Sequence, residues 1–504
     1  MSYLHLKVPP TRDERLKPCN AYGGNMDGLI HGQKEGCLSA NGRTFAQSTG
    51  CQLLLTAAMA ASIPNSVLIF HGPVGCGSCF LMFAGVTKEY QTTRGNDVSV
   101  GMTWFSTNLD EIDVITGGEP KLEKAILEAE ERFHPHAIFL ANTCVPAIIG
   151  DDIDNVASRL RPKVNAKLIP LYCEGFRTRF VATAYDIVYH GILRFLLGDD
   201  KVDWKPQDEA ERRDYEERSN RTVNLLNVGS MGYVDELELT RLLKDIGLEV
   251  NVYPCYTPAE KFVKVKDAAL SVSICATHDD YFVEHLQELY GIPYVLNTIP
   301  IGTDNVRLWL LEIADHFNIR EKALEVIEAE EAELREALKP LRKFFEGKTA
   351  FVSTGEIRAG AQSVMLEQDL GMKVLAIRTH HYDKFGDVVF DHFKGRDDVT
   401  INVATAQPFE QANLLNRLKP DIFLGHAGSN VWAAKQGYPV LPIFGPVNSY
   451  MGYKGVFEVA TRLERLLQNP EYFRTLGETT TLPFKEHWYD EDPYSYIQQS
   501  LDAA

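Results

Sequence analysis

The sequence predicts an α/β protein built on parallel sheets and too long for one hydrophobic core. Short apolar runs rich in β-branched and aromatic residues, such as Val67-Leu-Ile-Phe70, recur along the chain and alternate with stretches of helical spacing. At 504 residues the chain should divide into two to four domains. Three cysteines fall in turns at the ends of predicted elements, and in an open parallel sheet those ends lie on the edge where ligands bind.

Composition narrows the function. Fifty-one basic against 69 acidic residues give a net charge of −18, which argues against a nucleic-acid or anionic-membrane surface. The N-terminus has no apolar signal core and no run of 18 apolar residues occurs, so a cytoplasmic protein that does not enter a membrane is expected. An odd set of nine cysteines without an export signal points to thiols rather than a disulfide framework.

In chain order, residues 1–45 are polar and read as an N-terminal arm that needs the body or a partner to order it. A first α/β domain, 46–198, has strand-like runs at 66–70, 137–141 and 166–171, and a helix at 120–133 with Leu122, Ala125, Ile126 and Ala129 on one face. Residues 199–221 are charged and read as a linker or a solvated helix. A second α/β domain, 222–345, opens on a strand at Thr222, followed by a glycine turn that lacks full G-x-G-x-x-G spacing and so reads as a plain tight turn. A helix at 235–246, a strand at 249–253 and a long amphipathic helix at 321–345, bent at Pro340, complete it. A third α/β domain, 346–468, has strands at 349–352, 373–377 and 421–424 and a helix at 362–370. A tail rich in aromatics and charge occupies 469–504.

The chemistry begins at Val67-Leu-Ile-Phe-His-Gly-Pro-Val-Gly-Cys76-Gly, where a buried strand ends in a sharp turn that leaves Cys76 flanked by glycine. Cys51 follows Gly50, and Cys144 follows the apolar run Ala137-Ile-Phe-Leu. Thiolates gathered at a sheet edge favour an iron-sulfur cluster or zinc. Each alone reads as a small buried hydrophobe. Cys19, Cys37, Cys173 and Cys255 need no function; Cys79 forms a C-x-x-C pair with Cys76, which leaves a ligand or redox role open for it.

Cys51 with Gln52, His71-Gly-Pro-Val-Gly-Cys76-Gly, the stretch from Met102 to Glu119, Cys144 with Ile149-Gly-Asp-Asp-Ile153, and Cys173-Glu-Gly-Phe-Arg177 resemble, in order and spacing, the α-type subunits of the nitrogenase component 1 family. The resemblance spans nearly the whole chain. It implies three Rossmann-like domains with parallel sheets around a buried metallocluster. It also implies that Cys51, Cys76 and Cys144 hold half of an 8Fe-7S P-cluster shared with a homologous β-type subunit in an α2β2 tetramer. An ATP-dependent homodimeric iron-sulfur reductase would supply electrons. No G-x-x-x-x-G-K-S/T loop occurs in this chain, which agrees with ATP binding elsewhere.

Read alone, Cys275 in Ser271-Val-Ser-Ile-Cys275 is a buried thiol; the order of strand, cysteine, helix and Tyr290-Gly-Ile-Pro matches the family's single thiolate on its active-site cluster. Residues 440–453 lack the histidine that caps this cluster in nitrogenases, and Gly425-His-Ala-Gly-Ser-Asn430 lacks the lysine that accompanies homocitrate. An iron-only, carbide-centred cluster without heterometal or homocitrate is the expectation. His426 is either a replacement ligand, a pocket donor or a histidine satisfied by backbone. Met59, Val181 and Tyr185 stand where nitrogenases carry a valine, a glutamine and a proton-delivering histidine. They either line an apolar pocket suited to a thioether or fill core. These departures resemble the methylthio-alkane reductases of the family, which implies cleavage of C–S bonds in small thioethers (2-methylthioethanol, ethyl methyl sulfide, dimethyl sulfide). A nitrogenase α subunit and a cofactor-maturation scaffold remain as alternatives.

Overall fold

A computed structural model of the chain describes residues 3–36, 38–45, 51–78, 103–197, 209–227, 232–296, 299–443, 445 and 448–498. Cys79, the turn at 228–231 and part of the 199–221 linker lie outside the described residues. The chain forms two compact units: residues 1–15, 51–233 and 247–296 in the first, and residues 16–50, 234–246 and 297–504 in the second.

The first unit holds two four-stranded sheets, both wholly parallel. In one the spatial order is Thr103–Ser106, Ser66–His71, Ala137–Asn142, Lys167–Tyr172. In the other it is Tyr294–Val295, Leu270–Ser273, Thr222–Leu226, Glu249–Tyr253. Parallel strands are covered on both faces, which is why Val67-Leu-Ile-Phe70 and Ala137-Ile-Phe-Leu140 are continuous apolar runs, all buried. The helix Glu119–Phe133 buries Leu122, Ile126 and Ala129 against this sheet, one to each turn.

The second unit holds a six-stranded sheet in the order Ala21–Gly24, Thr400–Ala404, Lys373–Thr379, Thr349–Thr354, Ile422–Gly425, Val440–Pro442, parallel except for its first strand. Its helix Glu356–Gln368 begins six residues before the expected 362–370. Gly360, which argues against a helix there, sits where a Cβ would come within 2.9 Å of the Val389 carbonyl, so a close approach rather than a turn requires it. The long helix Arg320–Phe345 runs through Pro340 without interruption; that residue lies on the exposed face, where water reaches the carbonyl it frees. The tail from 469 carries the helix Glu471–Thr479 and ends on the strand Ile497–Gln498, paired with Gly42–Arg43.

Each parallel sheet has one point where successive strands depart to opposite sides: between Ser66–His71 and Ala137–Asn142, between Thr222–Leu226 and Leu270–Ser273, and between Thr349–Thr354 and Ile422–Gly425. The crevice beyond the carboxyl ends of such a pair is where ligands bind in open α/β sheets.

The residues read as an N-terminal arm divide. From Leu16 onward they belong to the second unit and supply its antiparallel edge strand, whereas the first 15 dock on the first unit. Arg12, fully buried, donates to Asp280 at 2.9 Å and to the Thr277 carbonyl at 3.1 Å. Arg15 donates to Asp186 at 2.8 Å and to Asp280 at 2.9 Å. The Leu6 carbonyl accepts from His190 Nε2 at 3.1 Å, so His190 Nδ1 is the acceptor for the Tyr281 hydroxyl at 2.8 Å.

Replacing Asp280 by alanine takes a carboxylate from fully buried Arg12 and one of two from Arg15, and should cost about 3–5 kcal/mol. The expected readout is a lower urea midpoint together with lost hydrogen-exchange protection at residues 12–15; an unchanged midpoint would show the network to be dispensable. The histidine gives a pH signature. Burial pushes the His190 pKa down to about 3 from an unfolded value of 6.5. Its contribution is therefore fully present above pH 6.5 and falls by about 1.4 kcal/mol per pH unit below it, because the unfolded state takes the proton first. Between pH 6 and 4 the stability of the wild type should fall more steeply than that of His190→Gln, and equal slopes would remove the assignment.

Candidate functional site

The cysteine motifs meet at the first unit's first switch point. Cys51 caps the helix Gln52–Ala61, Cys76 lies in the short helix Val74–Ser78 after one central strand, and Cys144 opens the helix Cys144–Ile149 after the other. The two strands pair to their ends, His71 opposite Asn142, so the turns carrying Cys76 and Cys144 leave the sheet side by side.

Gly175 brings two of the sulfurs together. Its amide donates to Cys144 Sγ at 3.2 Å, and a Cβ built on it would lie 2.9 Å from Cys51 Sγ and 3.7 Å from Cys144 Sγ. No larger residue leaves that space open. An amide donating to sulfur is the hydrogen bond that tunes cluster thiolates, and the cradle fits a shared cluster held by these thiols. Cys51 is exposed and Cys76 and Cys144 are half-buried. Around them Val74, Ile112, Ile115, Ile148 and Phe176 are each more than half exposed. An apolar rim of this kind around partly exposed thiols is what a protein partner covers.

The other motif residues hold these turns. His71 Nε2 lies 3.0 Å from Asp151 Oδ2 and its Nδ1 lies 3.2 Å from Thr107 Oγ1. Burial lowers the His71 pKa and its carboxylate partner opposes this. Asp151 also accepts from the Gly118 amide at 3.0 Å, and Glu119 accepts from the Asp152 amide at 3.1 Å. Thr143 Oγ1 donates to the His71 carbonyl at 2.8 Å, and a Cβ on Gly72 would fall 2.0 Å from that hydroxyl. Glu174 accepts from Asn142 at 2.7 Å through its carboxylate and from Gln52 at 2.6 Å through its carbonyl. Cys173 donates its thiol proton to the Asn142 carbonyl at 3.1 Å, and burial pushes its pKa well up, so it stays a thiol.

Cys275 stands at the second switch point, separated by one residue from Leu270–Ser273, as the N-cap of the 15-residue helix Ala276–Tyr290. It is 6% exposed. A helix N-terminus favours negative charge, which offsets part of the cost of a buried thiolate. Its amide donates to Ser273 Oγ at 2.9 Å, Ser273 donates to Asp279 at 2.7 Å, and Tyr189 donates to the other Asp279 oxygen at 2.7 Å. Burial pushes the Asp279 pKa up to about 7.

Met59, Val181 and Tyr185 belong to this same unit. Met59 is buried on Gln52–Ala61, which packs against Thr183–Gly191, which in turn packs against Ala276–Tyr290. Tyr185 stacks on His278 with ring centroids 4.3 Å apart, three residues beyond Cys275. Val181 is half-buried just before the middle helix. His278 and Asp279 carried no signal in the sequence beyond their place after Cys275.

His426 belongs to the second unit, as the N-cap of Ala427–Lys435 at its switch point. Its Nε2 lies 2.7 Å from Thr354 Oγ1, its ring is 5.0 Å from that of His380, and burial beside Arg358 lowers its pKa to about 3. Residues 448–451, part of the segment without histidine, are pinned by Asp235, which accepts from the Tyr450 and Met451 amides at 2.7 and 2.9 Å. Residues 444, 446 and 447 lie outside the described residues.

Among the described residues no helix is long and apolar enough to cross a membrane. The model of nitrogenase component 1 type oxidoreductases matches residues 51–468. The nitrogenase molybdenum-iron protein alpha chain of Methanosarcina barkeri is 26% identical over 87% of each chain. The nitrogenase iron-molybdenum cofactor biosynthesis protein NifE of the same organism is 27% identical over 81% of this chain and 86% of its own. The solved structure of nitrogenase Cp1 at pH 5 superposes with a TM-score of 0.70 at 24% identity, covering 88% of this chain and 93% of that one, which places the fold. The chain belongs to the nitrogenase component 1 family of oxidoreductases, as a subunit of the α type.

Proposed function

We propose that this chain is the catalytic α-type subunit of a nitrogenase-like reductase that cleaves the C–S bond of small thioethers. The observation that carries the reading is the stack of Tyr185 on His278, the latter three residues beyond Cys275 in the chain, on helices of which the middle one also packs against the helix of Met59. A thioether and an aromatic stack on these helices suit a small, apolar, sulfur-containing ligand held at Cys275. The absence of histidine from 440–453 sets the chain apart from a nitrogenase α subunit.

The chain's residues would divide the work. Cys51, Cys76 and Cys144 would hold their half of a P-cluster-type centre, completed by a β-type subunit on the apolar rim. Gly175 would leave room for it and its amide would donate to the Cys144 sulfur. Cys275 would hold a buried iron-sulfur cluster, without heterometal or homocitrate, that supplies electrons at low potential to a bound thioether. Each turnover takes two electrons, delivered singly by an ATP-hydrolysing reductase, and two protons. Dimethyl sulfide gives methane and methanethiol, ethyl methyl sulfide gives ethane and methanethiol, and 2-methylthioethanol gives ethylene, methanethiol and water. Asp279, its pKa pushed up by burial to about 7, would exchange its proton near neutrality.

A second reading is favoured by a separate observation: relatives with the biosynthesis name NifE match as well as the nitrogenase alpha chain does. A scaffold would carry the Cys275 cluster and release it to an apo-enzyme rather than turn over. Iron, molybdenum and vanadium content, measured on the purified complex and on Cys275→Ala beside thioether reduction, separates the two. The reductase reading expects the variant to lose about one cluster's iron and all hydrocarbon formation, with no heterometal in the wild type. A wild type that transfers its cluster and makes no methane or ethylene with its reductase would establish the scaffold. Gly175→Ala tests the interfacial centre. Its methyl group meets Cys51 Sγ, so the folded variant should lose iron and the electronic spectrum of that centre while keeping the Cys275 cluster, and full retention of both would sink the cradle assignment.

A further inference from the structure

The second unit gathers three buried metal-ligating side chains, none of them a cysteine. Glu356 is the first residue of the helix Glu356–Gln368, next after the strand Thr349–Thr354 and its Gly355 cap. His381 and Asp383 follow the adjacent parallel strand Lys373–Thr379. All three lie at the carboxyl edge of the sheet, and one donor atom from each falls within 4.8 Å of the others. Glu356 and Asp383 are fully buried and His381 is 5% exposed.

The spacing is that of ligands around a cation. Glu356 Oε1 lies 3.5 Å from His381 Nε2, and Asp383 Oδ2 lies 4.0 Å from the same nitrogen. Both separations exceed the roughly 2.7–3.2 Å of an ordinary N–H···O bond. A metal with bonds of about 2.0–2.2 Å sets its donors roughly 3.0–3.5 Å apart, so three donor atoms all within 4.8 Å of one another close on an ion by side-chain shifts of about an ångström. The second oxygen of each carboxylate is already held by backbone: Glu356 Oε2 accepts from the Asp383 amide at 2.8 Å, and Asp383 Oδ1 from the Phe385 amide at 3.0 Å. Those bonds aim Oε1 and Oδ2 at the imidazole. The segment itself is fixed by a two-way backbone bridge between Tyr382 and Cys19, at 2.8 and 2.9 Å, and by the Tyr382 hydroxyl on Asp387 at 2.6 Å. Two carboxylates this close and this deep repel strongly, and a divalent cation offsets both charges.

We propose that Glu356, His381 and Asp383 form a binding site for one divalent first-row transition-metal ion. One imidazole and two carboxylates suit Fe(II), Mn(II) or Zn(II), whereas Mg(II) and Ca(II) prefer oxygen alone and a cluster prefers thiolate. Three protein ligands leave coordination positions for water or a small anion.

The test uses the full-length chain after dialysis against chelator, with Mn(II) as the spin probe and Zn(II) as competitor. One Mn(II) per chain should bind, show hyperfine coupling to a single imidazole nitrogen, and leave when Zn(II) is added. Asp383→Asn and Glu356→Gln should weaken binding at least tenfold and remove the metal-dependent rise in melting temperature, and His381→Gln should also remove the nitrogen coupling. Cys275→Ala should keep its Mn(II), so failure of the cluster assignment does not touch this test. Wild-type uptake no greater than that of the variants, or bound Mn(II) without nitrogen coupling, overturns the site, and the wild-type spectrum decides even where a variant fails to fold.

Discussion

Parallel pairing of buried strands is the constraint from which the placement of chemistry in this chain follows. A strand covered on both faces takes a charged side chain along its length only where neighbouring strands pair it, as Asn402 and Ser353 do for Arg378, so reactive groups collect where the backbone leaves the sheet. At the carboxyl edge they meet the amino ends of the following helices, whose unpaired amides favour anions, thiolates and carboxylates alike. Cys144 opens such a helix, Cys275 and His426 cap others, and Glu356 begins a fourth. The same geometry is thus used four times with three kinds of side chain.

Close approach is the second constraint. Gly72 lets Thr143 come to the His71 carbonyl, and Gly175 lets the chain pass beside two sulfurs. These contacts explain why several separated motifs accompany the cysteines. His71, Thr107, Gly118 and Asp151 bond to one another and the neighbouring Glu119 accepts from the Asp152 amide, so each motif is one part of a single hydrogen-bonded frame. A substitution in any of them disturbs the thiols without touching sulfur.

What the sequence made legible follows from these constraints. Apolar runs marked the central strands because burial on two faces leaves a signal in every residue, and the strand at 249–253 was placed to the residue. Thr400–Ala404 was missed because its Thr and Asn break the run: Asn402 is spent on hydrogen bonds to Glu410 and to the Tyr22 carbonyl, which no local pattern encodes. The docking of residues 1–15 was hidden for a related reason, since Arg12 and Arg15 look solvated until Asp186 and Asp280 are known to face them. Cysteines announce a site through glycine neighbours and element ends. Glu356, His381 and Asp383 announce nothing, because their cage is assembled by strand register rather than spacing.

Ligand softness then sorts metals between the two units without any need for selective geometry. The first unit offers thiols at its sheet edges and the second, among the described candidate ligands, imidazole and carboxylate. Cysteines also lie in the second unit, but Cys19 is buried with its backbone bonded to Tyr382, remote in chemistry from an open turn. Soft sulfur retains iron-sulfur clusters, whereas a nitrogen and two hard oxygens hold a single hydrated ion and give a cluster no thiolate to exchange. Under the assignments proposed for these residues, an iron atom reaching the chain is directed by donor type alone. Under the same assignments, burial of Cys275 would add to this discrimination, because shedding water in a buried site costs a hydrated cation free energy.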